Sequence, residues 1–193
     1  MRNTTALLLA AGGGRRLGNR PKALLPFRGR PLVEHAVSVL RAGGCARVLV
    51  VLGAAAQEVL ARADLTGCEV VLNEDWETGM GSSLRAGLAA LPPESDAALV
   101  SLVDTPGVTP EAVRRVLAQE AELAAAAYAG ERGHPVLIAR RHWPEAAAGA
   151  QGDAGARALL RAHADELRLV EVGDVAENAD IDTEADWRAL QGR

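Results

Sequence analysis

The stretch Thr5–Ala11 (TALLLAA), stopped by Gly12, Gly13 and Gly14, constrains the fold of this chain most strongly. A continuous apolar run ended by glycine is the pattern of a β-strand buried on both faces, as in the middle of a parallel sheet. The pattern returns in Arg47–Leu52 (RVLVVL), ended by Gly53, and in Ala97–Val103 (AALVSLV), which runs into Asp104. Glu69–Leu72 adds a shorter strand. Between these runs lie segments with helical features: Pro31–Leu40, closed by Gly43 and Gly44; Ala54–Ala63; Ser82–Leu91, with serine available as a cap; and Thr109–Glu122, with proline at its first position.

Ala124–Ala129, Pro135–Ala139 and Leu167–Val172 read as further strands, and Thr183–Leu190 as a terminal helix. Strands alternating with helices predict a single α/β domain over residues 1–193, Rossmann-like, with a mostly parallel sheet, helices on both faces and right-handed crossovers. The second half is less regular, which leaves room for one antiparallel strand late in the sheet. Ala146–Ala154, rich in alanine and glycine, reads as a mobile loop.

Charge and composition narrow the partners. Aromatic residues are 3% of the chain, too few for a ladder that stacks single-stranded nucleic acid, and the net charge of −4 argues against a nucleic-acid partner. A small phosphorylated ligand needs only a local positive pocket. The opening MRNTTALLLAAGGG lacks the long apolar stretch of a signal peptide, and no apolar run reaches the ~18 residues that span a bilayer, so a cytoplasmic protein with no membrane partner is expected. Cys45 and Cys68 read as reduced structural thiols.

Ala10–Gly18 (AAGGGRRLG) directly follows the first strand. Glycine backbone can present successive N–H groups in a concave anion site at the carboxyl end of a strand, where open α/β sheets bind ligands. Arg15, Arg16, Arg20 and Lys22 add positive charge close by, as cradling a triphosphate requires. The alternative is a plain tight turn with arginines facing solvent. Neither G-x-G-x-x-G nor a P-loop fits: Leu17 stands at the third glycine's place, and Lys22 is followed by Ala23.

Leu9-Ala10-Ala11-Gly12-x-Gly14-x-Arg16-Leu17-Gly18, with Lys22 and Leu24-Leu25-Pro26, resembles the opening motif of the MobA-like nucleotidyltransferases. The resemblance implies a GT-A type fold, a triphosphate held by the loop backbone (Leu9, Ala10, Ala11, Gly12, Gly13, Gly14), and Arg16 and Lys22 as the groups that neutralise it. Leu17 replaces the usual methionine, and Lys22 lies one residue further from Gly18 than in the molybdenum-cofactor enzymes. Pro21–Pro26 is similar to the corresponding segment of sugar-nucleotide pyrophosphorylases.

Asp104 ends an apolar strand in Leu102-Val103-Asp104-Thr105-Pro106, at the same sheet edge as the glycine loop. A carboxylate there can hold Mg²⁺ against phosphate oxygens, or can serve as a helix cap or turn residue. The segment resembles the family's Asp-Met-Pro metal motif, which implies Mg²⁺ (or Mn²⁺) on Asp104. In Asp180-Ile181-Asp182-Thr183 the two carboxylates face one side if the segment is extended. The family has a similar DIDT segment whose second Asp approaches the metal, which makes Asp182 a candidate ligand; it could equally cap the last helix. Nucleotidyl transfer is an in-line attack on the α-phosphorus with pyrophosphate leaving. Positioning and charge neutralisation by Arg16, Lys22 and Asp104 with its metal would carry it, and a phosphate acceptor, with a second pKa near ~6, needs no general base. No Ser-His-Asp, Cys-His or zinc-ligand cluster stands out.

Asn73–Gly87 (NEDWETGMGSSLRAG) reads as a sharp turn before a capped helix, with backbone exposed for a base edge or phosphate. Its Asn73, Gly79, Ser82 and Ser83, together with Ala11, resemble the molybdenum-cofactor cytidylyltransferase branch, which implies CTP as substrate and molybdopterin as acceptor. Gly133-His134-Pro135-Val136 and Gly152–Arg157 match acceptor-side segments of that branch. By itself His134 reads as structural, while Arg157 either pairs with Asp153 along a helix or meets an acceptor phosphate. His35, His142 and His163 show no partners and read as surface or core residues. The resemblance also implies docking to a molybdoenzyme. GTP with another phosphorylated acceptor, such as a sugar phosphate or phospholactate, and a non-catalytic nucleotide-binding module are the alternatives.

Overall fold

The computed structural model describes residues 2–191. Its main sheet has seven strands: β1 (Thr4–Leu9), β4 (Arg47–Leu52), β5 (Glu69–Leu72), β6 (Ala97–Leu102), β7 (Leu123–Tyr128), β8 (Glu131–Ala139) and β9 (Arg168–Glu171), in the order β5-β4-β1-β6-β8-β7-β9. β1 pairs in parallel with β4 and β6, and β7 with β9, while β8 is antiparallel to both its neighbours. The expected late antiparallel strand is therefore β8. Pro26–Phe27 (β2) and Arg30–Pro31 (β3) form a small hairpin that the sequence reading missed. The helices are α1 (Leu32–Ala42), α2 (Ala56–Arg62), α3 (Met80–Ala89), α4 (Pro110–Leu117), α5 (Trp143–Gly149), α6 (Arg157–Ala162) and α7 (Glu184–Gln191).

Alternation along β1 divides the core. Ala6 and Leu8 point into a layer closed by Leu32, Val33 and Leu40 of α1 and Val113 and Val116 of α4. Leu7 and Leu9 point the other way, onto Leu84 and Leu88 of α3, Ala146 of α5, and Leu159 and Leu160 of α6. Both faces of β1 are thus dry, and its polar backbone is satisfied by two neighbouring strands. The predicted doubly covered α/β sheet is present.

Several boundaries move. β1 stops at Leu9, leaving Ala10 and Ala11 outside the strand as the start of the loop. α3 begins at Met80 with Gly79 before it, so the serines lie inside the first turn instead of capping it. α4 ends at Leu117 and not at Glu122, its start held by Ala112 N–H donating to the Thr109 hydroxyl at 3.2 Å. The predicted mobile loop Ala146–Ala154 is instead mostly ordered chain, the end of α5 followed by a 3-10 turn at Gly152–Ala154. Alanine favours the helix there, and Ala146 is buried against the sheet.

Candidate functional site

The carboxyl ends of β1 and β6 open onto a cleft of about 650 Å³. The loop after β1 lines it with Gly12, Gly13, Arg15 and Arg16, and Gly79, Met80 and Ser83 line it as well. The loop is shaped from its backbone. Gly14 has φ +60°, its carbonyl accepts from Leu17 and Asn19 N–H groups at 2.8 and 3.1 Å, and a Cβ there would lie 2.0 Å from the Arg20 carbonyl oxygen. No other residue fits this position without moving the chain. The indole of Trp76 backs the loop, since a Cβ on Gly13 would meet it at 3.0 Å.

At the floor of the cleft, Lys22 Nζ donates to Asp104 Oδ2 at 2.6 Å and to Asp182 Oδ1 at 2.8 Å. Arg16 lies 3.8 Å from the second oxygen of Asp182. The lysine side chain is 14% exposed and Asp104 20%. Burial alone would pull Lys22 down, but the charges and hydrogen bonds of Asp104 and Asp182 outweigh it and hold its pKa above the ordinary value. The hydrogen bond from Lys22, helped by its charge and that of Arg16, holds Asp182 below the usual carboxylate range. Desolvation, followed by the facing charges of Asp104 and Asp182, pushes Asp180 up.

The C-terminal segment reaches this point because Ile181 is buried and its N–H donates to the Asp104 carbonyl at 2.9 Å. Asp180 and Asp182 then flank Ile181, both on the cleft lining, as extended chain requires. The cap of α7 is formed by Thr183 and Asp186: Asp186 N–H donates to the Thr183 hydroxyl at 3.2 Å, and Asp186 Oδ2 accepts from Thr183 N–H at 2.7 Å. Asp182 is therefore not the cap, and its carboxylate is left for Lys22.

A second lobe of about 300 Å³ adjoins the first, the two sharing Leu9, Met80, Leu102, Asp153, Arg157 and Asp180. It is closed by Arg132, Gly133 and His134 of β8. Burial pushes His134 down to about 4, leaving a neutral imidazole, and the His134 carbonyl accepts from Tyr128 Oη at 2.7 Å. Asp153 lies in the 3-10 turn and Arg157 opens α6, so they do not share one helix.

The chain that builds this cleft is similar to known proteins. Residues 6–167 fit the model of the MobA-like NTP transferase domain. The chain belongs to this family. Nicotine blue oxidoreductase of Paenarthrobacter nicotinovorans is 45% identical over 188 residues, covering 93% of this chain and 92% of that protein. The crystal structure of the Rv0371c homolog from Mycobacterium sp. strain JC1 superposes with a TM-score of 0.87 at 34% identity, covering 100% of this chain and 98% of that one. Rv0371c of Mycobacterium tuberculosis H37Rv, solved as a manganese complex, gives a TM-score of 0.83 at 32% identity, with coverage of 100% and 99%.

Within this MobA-like domain the expected site residues separate into two groups. Leu9, Ala11, Gly12, Gly13, Arg16, Lys22, Gly79, Ser83, Asp104 and Asp182 all line the larger lobe. Ala10, Gly14, Asn73 and Ser82 stand behind its wall. Asn73 is buried and donates to the Ser82 and Ser83 hydroxyls at 2.8 and 3.0 Å, while Ser82 donates to the Asp75 and Gly79 carbonyls. These residues hold the turn that shapes the wall. Trp76, Arg132 and Asp180 also line the cleft and were not singled out as site residues. Asp180 was legible, since it alternates with Asp182 around an apolar residue. Arg132 carried no local signal.

A divalent cation suits this donor set. Asp104 and Asp182 converge on one cationic point, now Lys22 Nζ. With Asp180 beside them, three carboxylates face Lys22 and Arg16, an excess of negative charge that a hard cation would balance. Among the described residues no helix is long and apolar enough to cross a membrane, and Cys45 and Cys68 are free thiols.

Proposed function

We propose that this MobA-like protein is a Mg²⁺-dependent cytidylyltransferase that transfers CMP from CTP to the phosphate of molybdopterin, releasing pyrophosphate. The observation that carries the reading is the convergence of Lys22, Asp104 and Asp182 beneath the glycine loop. The loop N–H groups and Arg16 would hold the triphosphate, with Lys22 exchanging a carboxylate for a phosphate oxygen as the nucleotide arrives. Mg²⁺ on Asp104 and Asp182 would supply charge neutralisation at the phosphates. An oxygen of the acceptor phosphate attacks the α-phosphorus in line, and the bond to the leaving pyrophosphate breaks. The smaller lobe, with Arg132 and Arg157, suits that acceptor. Ala11 and the Gly79–Ser83 wall favour cytosine by their likeness to the cytidylyltransferase branch. The product would pass to a molybdoenzyme, with no nucleic acid or membrane involved and the reaction in the cytoplasm.

The test is pyrophosphate release from CTP, GTP, ATP and UTP with Mg²⁺, with and without molybdopterin, beside a thermal-shift panel of the same nucleotides. Release from CTP only when acceptor is present supports the reading. Turnover with GTP alone moves the specificity and keeps the chemistry. Binding with no turnover for any acceptor, and function surviving Asp104→Ala, would point to a nucleotide-binding module instead.

A second reading rests on one observation, the 45% identity to a protein named an oxidoreductase. The loop would then hold the pyrophosphate of a redox dinucleotide. Stabilisation by a nicotinamide dinucleotide and none by CTP would select it.

A further inference from the structure

On the face of the sheet away from the hairpin, two histidines and a carboxylate meet where α5 and α6 pack together. His142 ends the 3-10 turn Arg140–His142, Glu145 lies in the first turn of α5, and His163 follows the last residue of α6. One ligand atom from each lies within 4.8 Å of the others. His163 Nε2 faces Glu145 Oε2 at 2.9 Å, and the two imidazole rings stand 4.9 Å apart, edge to face. The other nitrogen of His163, Nδ1, lies 3.2 Å from Glu166 Oε1. That contact is the arrangement that orients a metal-bound histidine, one nitrogen donating to a carboxylate and the other left as ligand. His142 is buried, and Glu122 Oε2, closed off from solvent, faces its Nε2 at 3.4 Å. Arg141 also contacts His142, Glu122 and Glu166. Against that one guanidinium stand the three carboxylates Glu122, Glu145 and Glu166, so the pocket attracts cations.

We propose that His142, Glu145 and His163 form a site for a divalent transition-metal ion of the zinc type, with Glu166 orienting His163. Two imidazoles and one carboxylate are a zinc-type donor set, poorly matched to Mg²⁺, and three protein ligands leave a fourth position for water. The ion would tie the start of α5 to the end of α6. The chain between these helices carries Asp153 into the cleft and α6 opens with Arg157, so the metal would brace the wall of the smaller lobe from behind. This site is separate from the carboxylates at Asp104.

The experiment titrates the full chain, stripped with chelator, with Zn²⁺ by calorimetry against a competing indicator, and with Co²⁺ by visible absorption. Asp104→Asn serves as the background that disables the cleft site. One equivalent of Zn²⁺ should bind in that background, with a raised thermal midpoint and tetrahedral Co²⁺ bands. His163→Ala should weaken binding by more than tenfold and remove the bands, and Glu166→Gln should weaken it roughly tenfold. Glu145→Gln, at a half-exposed position, makes the same comparison if the histidine variant fails to fold. Zinc uptake that disappears with Asp104→Asn, or that His163→Ala and Glu145→Gln leave unchanged, would overturn the proposal.

Discussion

The two lobes of the cleft share one rim and are made of different material. The larger lobe begins on backbone: glycines after β1, one of them at positive φ, backed by the Trp76 indole, with Lys22 as the buried charge. The smaller lobe is made of side chains, Arg132 and His134 from β8, Asp153 from a 3-10 turn and Arg157 from α6. A backbone cradle suits a ligand part that does not vary, such as a polyphosphate, because N–H groups recognise charge and little else. A side-chain cradle suits the part that distinguishes one reaction from another. On the proposed reading, the first lobe would hold the nucleotide and the second would select the acceptor.

Removing the carboxylate beneath the glycine loop should have the largest effect. Asp104→Asn is expected to lower turnover by roughly 10²–10³-fold, with the nucleotide-induced thermal shift in Mg²⁺ reduced and the fold retained by circular dichroism. Turnover within a few-fold of wild type would break the assignment of the larger lobe. Gly14→Ala attacks the backbone lobe alone. Strain at φ +60° and the collision with the Arg20 carbonyl should cost on the order of 1–3 kcal/mol in denaturant titration, with triphosphate binding weakened more than acceptor binding.

Arg132→Ala addresses the side-chain lobe, which Arg132 lines without reaching the larger one. Loss of a charge-assisted contact should raise the acceptor KM roughly tenfold and leave CTP affinity unchanged. Equal loss for both substrates would mean that the lobes do not divide the work. Asp180→Asn should have the smallest effect. The folded pKa of Asp180 is raised, so its ionised form opposes folding once pH has risen through that value, and below the unfolded value the penalty is gone. The variant should therefore melt slightly higher than wild type at neutral pH, the difference vanishing as the solution is acidified. A difference that grew on acidification would reverse the sign of the electrostatics at the rim.

Much of the first lobe was readable because its cause is local. The apolar run of β1, the glycines that end it and the acidic stop after β6 are adjacent in sequence and act within a few residues. The second half was read less well. The sequence predicts a mobile loop over the end of α5 and gives no bounds for α6, since short alanine-rich helices are stabilised by packing on the sheet and carry little periodicity of their own. The hairpin β2–β3 has only two residues in each strand, too few to show alternation. His142 and His163 looked partnerless because their partners come from other turns of the chain.

By itself the sequence determined the class of fold, the position of the glycine loop, the carboxylate at the end of β6 and the alternation of Asp180 and Asp182, because hydrophobic period and turn chemistry are properties of neighbouring residues. Tertiary structure alone decided what those groups meet. Lys22 reaches Asp104 across 82 positions and Asp182 across 160, and no local preference encodes either pair. The strand order β4-β1-β6 and the burial of Ile181 bring them together. The cap formed by Thr183 and Asp186 then leaves Asp182 for the cleft.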